Sequence, residues 1–128
     1  MPQDLPAPTQ AELKILQVLW KRGTSTVREV HEALPDDSET GYTTTLKLMQ
    51  IMTEKGLVTR DESARAHLYT ARLSQETSQR RMVDDLVERA FGGAAQKLVL
   101  QALSSRKASP AELAEIRKLL DSMEGHDR

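Results

Sequence analysis

The sequence contains no cysteine, which excludes disulfide frameworks, thiol redox sensing, iron–sulfur ligation and cysteine zinc sites. Aromatic residues are almost as scarce: Trp20, Tyr42, Tyr69 and Phe91 are the only ones among 128 residues. The core must therefore be aliphatic, from Leu, Val, Ile, Met and Ala, a set that suits helices better than an all-β sandwich. No apolar run approaches the ~20 residues that a membrane-spanning helix needs. The start, Met1-Pro2-Gln3-Asp4, lacks the basic residues and apolar stretch of a secretory signal. The expectation is a cytoplasmic protein without membrane insertion. Neither sign of charge dominates, and the formal net charge is -1. That argues against a protein that coats nucleic acid indiscriminately, but it leaves room for a basic face.

Catalytic signatures are also missing. His31, His67 and His126 are far apart, and none has a second histidine or a carboxylate at metal-ligand spacing on a helix. There is no P-loop, dinucleotide fingerprint or nucleophile elbow. Gly92-Gly93 reads as a helix break rather than a phosphate cradle. The residues point to no enzyme, no metal and no cofactor.

What is present is helix punctuation. Residues 1–8 carry three prolines and read as an extended tail; residues 125–128 read as a second flexible tail. Thr9-Gln10-Ala11-Glu12 has capping-box spacing, a hydroxyl followed three residues on by Glu. Leu13, Leu16, Leu19 and Trp20 then share a helical face, with Ile15 at its edge and Gly23 as the stop. Thr26-Val27-Arg28-Glu29 repeats the box; Val27, Val30 and Leu34 continue at helical spacing until Pro35. A polar, acidic linker, Asp36-Asp37-Ser38-Glu39, follows. A third helix is expected from about Tyr42 to Lys55, closed by Gly56. Thr45, Leu48, Met49 and Met52 form its inner face; Thr43, Thr44, Lys47, Gln50 and Ile51 lie opposite, and Leu46 also falls off the core face. Two β-prone runs, 57–60 and 65–70, flank the turn Asp61-Glu62-Ser63-Ala64 and read as a hairpin. Three helices followed by a hairpin is the winged-helix order.

From Ser74 the pattern is helical again, with Met82, Val83, Leu86, Val87 and Ala90 in a broad stripe. Leu98, Val99, Ala102 and Leu103 mark a shorter helix beyond Gly92-Gly93. Ser109-Pro110-Ala111-Glu112 combines a cap, Pro at the first helical position and a box-completing Glu. Leu113, Ile116, Leu120 and Met123 then form a seam suited to a partner helix.

A recognition helix buries one face and offers the other to the major groove. The third helix fits that requirement. Its first turn is rich in hydroxyls at an end that favours phosphate. Lys47 can reach a guanine edge or a phosphate, Gln50 can pair with adenine, and Leu46 and the threonine methyls can meet thymine methyls. The hairpin adds Arg60, Arg65 and His67 as phosphate contacts, opposed by Asp61 and Glu62 at the tip. An ordinary solvated helix face and a solvated mixed-charge turn remain the alternatives. The apolar positions Met82, Leu86, Leu98, Leu113, Ile116 and Leu120 are candidates for dimerisation, since leaving them uncovered would create a sticky patch, with packing within one chain as the alternative for the C-terminal seam.

Several stretches resemble, in order, the penicillinase repressors of the BlaI/MecI type. They are Thr9–Leu13 with Ile15-Leu16 and Leu19-Trp20; Thr26–Val30; Tyr42-Thr43-Thr44; Glu54–Val58; Arg65–Tyr69; and Phe91-Gly92-Gly93. The similarity continues through Leu98-Val99-Leu100 to Leu119-Leu120. It implies a bacterial homodimeric repressor that occupies a palindromic double-stranded operator. It also implies Thr43, Thr44, Lys47, Arg65 and His67 as positions that meet DNA, and a membrane sensor protease or its downstream signal as the partner that triggers release by cleavage. Four departures stand out. Lys47 replaces a frequent Thr, Ile51 a frequent Arg, and Thr45 an aliphatic residue, which should loosen the core there. Gln101-Ala102 occupies the place of the Asn-Phe cleavage pair of β-lactam-responsive members. The expected fold is α+β, mostly α: a winged helix-turn-helix at 9–72 followed by a helical dimerisation region at 73–124. The rival function is a winged-helix adaptor that binds protein rather than DNA.

Overall fold

The computed structural model describes residues 5–35 and 41–125. The acidic linker Asp36–Glu39, His126 and parts of both expected tails lie outside the described residues. Contacts divide the chain into two compact units, Met1–Met82 and Val83–Arg128.

In the first unit the punctuation works as the spacing suggests. Helix α1, Gln10–Arg22, starts at a complete capping box: Glu12 N–H donates to Thr9 Oγ1 at 3.2 Å, and Thr9 N–H donates to Glu12 Oε1 at 2.9 Å. Two of the amides orphaned at a helix start are thereby satisfied. Helix α2, Val27–Ala33, opens with the same device at Thr26 and Glu29. It ends one residue before Leu34, whose extended backbone caps it rather than continuing it. Helix α3, Tyr42–Lys55, closes on Gly56, where a left-handed backbone lets the Gly56 amide reach back to Met52 O and Thr53 O. Strands β1, Val58–Asp61, and β2, Leu68–Ala71, pair antiparallel with Val58 opposite Ala71 and Asp61 opposite Leu68.

The core gathers Ile15, Leu16 and Leu19 from α1, Val27 and Val30 from α2, Met49 and Met52 from α3, and Leu57, Val58 and Tyr69 from the hairpin. Burying such aliphatic side chains contributes roughly 1.5–3 kcal/mol each. Three helices with a hairpin against them form a mostly helical α+β winged helix.

Two inner faces differ from the sequence reading. On α1, Ile15 is buried in the core rather than at its edge, while Leu13 and Trp20 are only half-buried. Trp20 sits at the margin because its indole N–H needs an acceptor, which it finds in Leu73 O at 3.0 Å. On α3, Leu46 is not off the core: it is half-buried and packs against it, as does Leu48. The hairpin is also bound to the helices by a link that periodicity does not show. Ser25, between α1 and α2, bridges Tyr69, with Ser25 N–H to Tyr69 O at 3.0 Å and Tyr69 N–H to Ser25 O at 2.8 Å.

Helix α4, Gln75–Ala90, begins at Ser74, whose Oγ accepts from Thr77 N–H. It ends where Phe91 and Gly93 amides both fold back to Val87 O and Gly92 takes positive φ, so Gly92-Gly93 is a helix stop. In the second unit, α5 spans Ala95–Ser105 and α6 spans Pro110–Gly125. The α6 box is complete: Glu112 N–H donates to Ser109 Oγ and Ser109 N–H donates to Glu112 Oε1. Burial is slight. Val87 is the one buried residue of α4, and α5 and α6 have none.

Candidate nucleic-acid interface

Helix α3 presents Thr43, Lys47 and Gln50 along one exposed line at i, i+4 and i+7, with Thr44 exposed beside it. Its first turn has no acidic residue, and its N-cap, Gly41, offers no side-chain acceptor. Among the described residues no acidic side chain in the first turn and no capping side chain compensates the positive end of the helix dipole at the start of this face. Leu46 does not join the line, so its proposed meeting with a thymine methyl would have to come from a side chain already packed on the core.

The back of α3 is held at both ends by polar contacts. Thr45 is fully buried, and its hydroxyl satisfies two groups: it lies 2.9 Å from His31 Nδ1 and donates to Gly41 O at 3.3 Å. A hydroxyl in place of an aliphatic side chain thus does not simply loosen this position, because α2 supplies its partner. The edge of the His31 ring meets Tyr42 at 5.7 Å, and the Arg28 guanidinium lies 5.7 Å over the same tyrosine. The start of α3 is clasped to α2 in this way. At its other end, Lys55 Nζ donates to the buried Glu12 Oε2 at 2.8 Å. Burial alone pushes the Glu12 carboxyl up, but the Lys55 hydrogen bond, the Thr9 amide and the charge of Lys55 outweigh it and hold the group below its ordinary value. None of these five contacts was legible as a site: the sequence showed Glu12 only as a cap, Tyr42 as a helix start and Thr45 as core, while Arg28 and His31 carried no signal for a site.

The wing differs in detail from the expected hairpin. The second strand starts at Leu68 rather than at residue 65, so residues 62–67 form the connecting loop, and Arg65 and His67 sit exposed on it. Arg60 is on β1, but its guanidinium is engaged. Nε donates to Glu62 Oε2 at 2.8 Å, Nη2 forms an ion pair with the same oxygen at 2.7 Å, and Tyr69 is the register partner of Arg60 on the opposite strand. These partners raise its pKa, the Tyr69 contact most. Asp61 Oδ1 accepts from Ser63 N–H at 2.9 Å, which holds that carboxyl below its usual range.

The dimerisation candidates fall into two groups. Met82, Leu86 and Leu120 are exposed, whereas Leu98, Leu113 and Ile116 are half-buried within the single chain. Exposed apolar side chains beyond that set include Leu100, 55% exposed, and Leu119 and Met123, each 61% exposed. Among the described residues no group of three or more His, Asp or Glu stands close enough to hold a metal ion. No helix of the described residues is long and apolar enough to cross a membrane.

Comparison with known proteins decides the family. The penicillinase repressor family matches residues 8–122. This chain belongs to that family. The transcriptional regulator BlaI of Mycobacterium tuberculosis is 31% identical over 118 residues, covering 90% of this chain and 84% of that protein. The penicillinase repressor of Bacillus licheniformis is 22% identical over 117 residues, covering 91% of each. Among solved structures, the B. licheniformis BlaI monomeric form in complex with the blaP half-operator has a TM-score of 0.49 at 23% identity, covering 57% of this chain and 89% of that one. As a penicillinase repressor family member, the chain falls in a family of transcriptional repressors. The adaptor alternative loses its ground with that membership.

Proposed function

We propose that this chain represses transcription as a homodimer that occupies a palindromic operator, with α3 in the major groove and the wing alongside the backbone. The observation that carries the reading is the exposed line Thr43, Lys47 and Gln50, with Thr44 beside it, on a helix whose other side is locked to α1 and α2. Rigid support of this kind is what base reading requires, because hydrogen bonds to base edges are lost with small displacements. Phosphate contacts set orientation, and α3 side chains discriminate. Residues 9–72 serve as the DNA-reading region and residues 73–124 as the dimerisation region. Dimerisation is supported by helices α5 and α6, which have no buried residue in one chain yet carry Leu100, Leu119 and Met123 in the open.

The protein acts in the cytoplasm, without catalysis of its own. Its release signal is not cleavage at Gln101-Ala102. The amide is one methylene longer than Asn, and Ala offers no ring for a protease pocket, a contact that can dominate recognition. Binding to the chain's own promoter, followed by fluorescence anisotropy at two salt concentrations, tests the function. A DNA reader binds and loses affinity steeply as salt rises. Absence of binding at both salts would remove the proposal.

A further inference from the structure

From β1 to the start of β2 the wing carries four formal charges, Arg60, Asp61, Glu62 and Arg65, which cancel. The structure shows how the cancellation is arranged. Arg60 is the third residue of β1, and Glu62 follows directly on the strand's last residue, Asp61, so the two side chains are two positions apart in the chain. Both Nε and Nη2 of Arg60 converge on one oxygen of Glu62, and the Arg60 side chain is 28% exposed against 56% for Glu62. Behind Arg60 stands Tyr69, its register partner across the hairpin and fully buried. The guanidinium is therefore engaged by Glu62 of its own chain, with the buried Tyr69 as its neighbour across the hairpin. Asp61 is occupied by the Ser63 amide. Among the described residues Arg65 has no ion-pair partner, so it is the one free cation of the wing.

Resting on the reading of this hairpin as a DNA wing, we infer that Glu62 is a positioning residue that keeps Arg60 off the phosphate backbone and so weakens sequence-independent binding. A phosphate that reaches for Arg60 has to displace a carboxylate that is tethered two residues away, accepts from Nε and is ion-paired with Nη2 at 2.7 Å. That intramolecular competitor loses no translational freedom on binding, which is the advantage of any tethered ligand. The wing then touches the duplex through Arg65, and discrimination falls to α3. A phosphate contact adds affinity equally on every sequence, so the clasp acts on operator and unrelated DNA alike.

Glu62→Gln keeps the shape and removes the charge; Glu62 is exposed, and circular dichroism would verify the fold. Affinity should rise about two- to fivefold, the span expected when a partly exposed ion pair no longer competes. The rise should be the same on operator and scrambled duplex. The slope of log affinity against log salt should steepen by about 0.9 for each wing that gains a phosphate. Both effects should vanish when Glu62→Gln is made in an Arg60→Ala background, and Arg60→Ala alone should leave the salt slope unchanged. The inference is overturned if Glu62→Gln changes neither affinity nor slope in a protein that binds its operator. It is also overturned if the gain survives without Arg60, which would make Glu62 act by its own charge, or if Arg60→Ala alone flattens the slope. Failure of the wild-type protein to bind DNA would instead defeat the DNA reading, and the inference with it.

Discussion

Removing the Glu12 carboxylate should destabilise the protein by freeing the end of α3, the helix proposed to read DNA. Glu12 is 1% exposed and has two partners: the Thr9 amide at 2.9 Å and Lys55 Nζ at 2.8 Å. Glu12→Ala loses half of a capping box, which costs about 1 kcal/mol. It also strands Lys55. Breaking a fully buried pair costs about 3–5 kcal/mol, but the Lys55 side chain is 32% exposed and regains water, so roughly 1–2 kcal/mol is expected here. The total is about 2–3 kcal/mol. Lys55→Met should cost at least as much, because it leaves a carboxylate inside with only the Thr9 amide. Glu12→Gln keeps an acceptor for Thr9 and should fall between wild type and Ala. Because the folded carboxyl is held below its ordinary value of 4.5, its contribution is fully present above the unfolded pKa and is lost as pH falls through the folded pKa. The stability gap between wild type and Glu12→Gln should therefore be flat near neutrality and close on acidification. Urea unfolding at fixed protein concentration measures both quantities, concentration being held constant because dimerisation shifts apparent stability. A Glu12→Ala protein within about 0.5 kcal/mol of wild type, the range of neutral surface changes, would refute the reasoning. So would a gap that does not change with pH.

Four further outcomes follow from the same geometry. Lys47→Ala should weaken operator binding by about 1–3 kcal/mol and relax preference at one position per half-site if Lys47 meets a base; an equal loss on all sequences with a shallower salt slope would make it a phosphate contact. Leu119→Glu combined with Leu100→Glu should give a folded monomer by light scattering, and a persisting dimer would move the interface away from α5 and α6. Gly56→Ala should cost about 1 kcal/mol or more in urea unfolding, since its φ is +84° and a Cβ there would lie 2.9 Å from Leu5 Cδ2. Cells exposed to a β-lactam should retain intact repressor, and a fragment ending at Gln101 found by mass spectrometry would overturn that expectation.

Local signals made most of the fold legible. Thr9 with Glu12, Thr26 with Glu29 and Ser109 with Glu112 mark three helix starts because the capping box is satisfied within four residues. Gly56 and Gly92 mark stops because positive φ is cheap only for glycine. What stayed hidden depended on distant residues. The Ser25–Tyr69 bridge joins positions far apart in the chain, and Trp20 sits at the core margin because its N–H reaches Leu73. Helical spacing placed Leu46 and Ile15 by angle alone, whereas the neighbours around each helix decide how wide the buried stripe becomes. For the site, the exposed residues of α3 could be read from periodicity. The engagement of Arg60 by Glu62 could not be ranked above any other mixed-charge turn, since charge order does not show which pairs close.

The central claim is that two copies of α3 read two half-sites on one side of a duplex. Hydroxyl-radical footprinting of the protein on its own promoter tests this most directly. Two symmetric protected patches are expected, with centres about one helical turn, roughly 10–10.5 base pairs, or a multiple of it, apart, and in Lys47→Ala both should shift together to higher protein concentration. A single patch, uniform protection along the fragment, or no protection would contradict the claim.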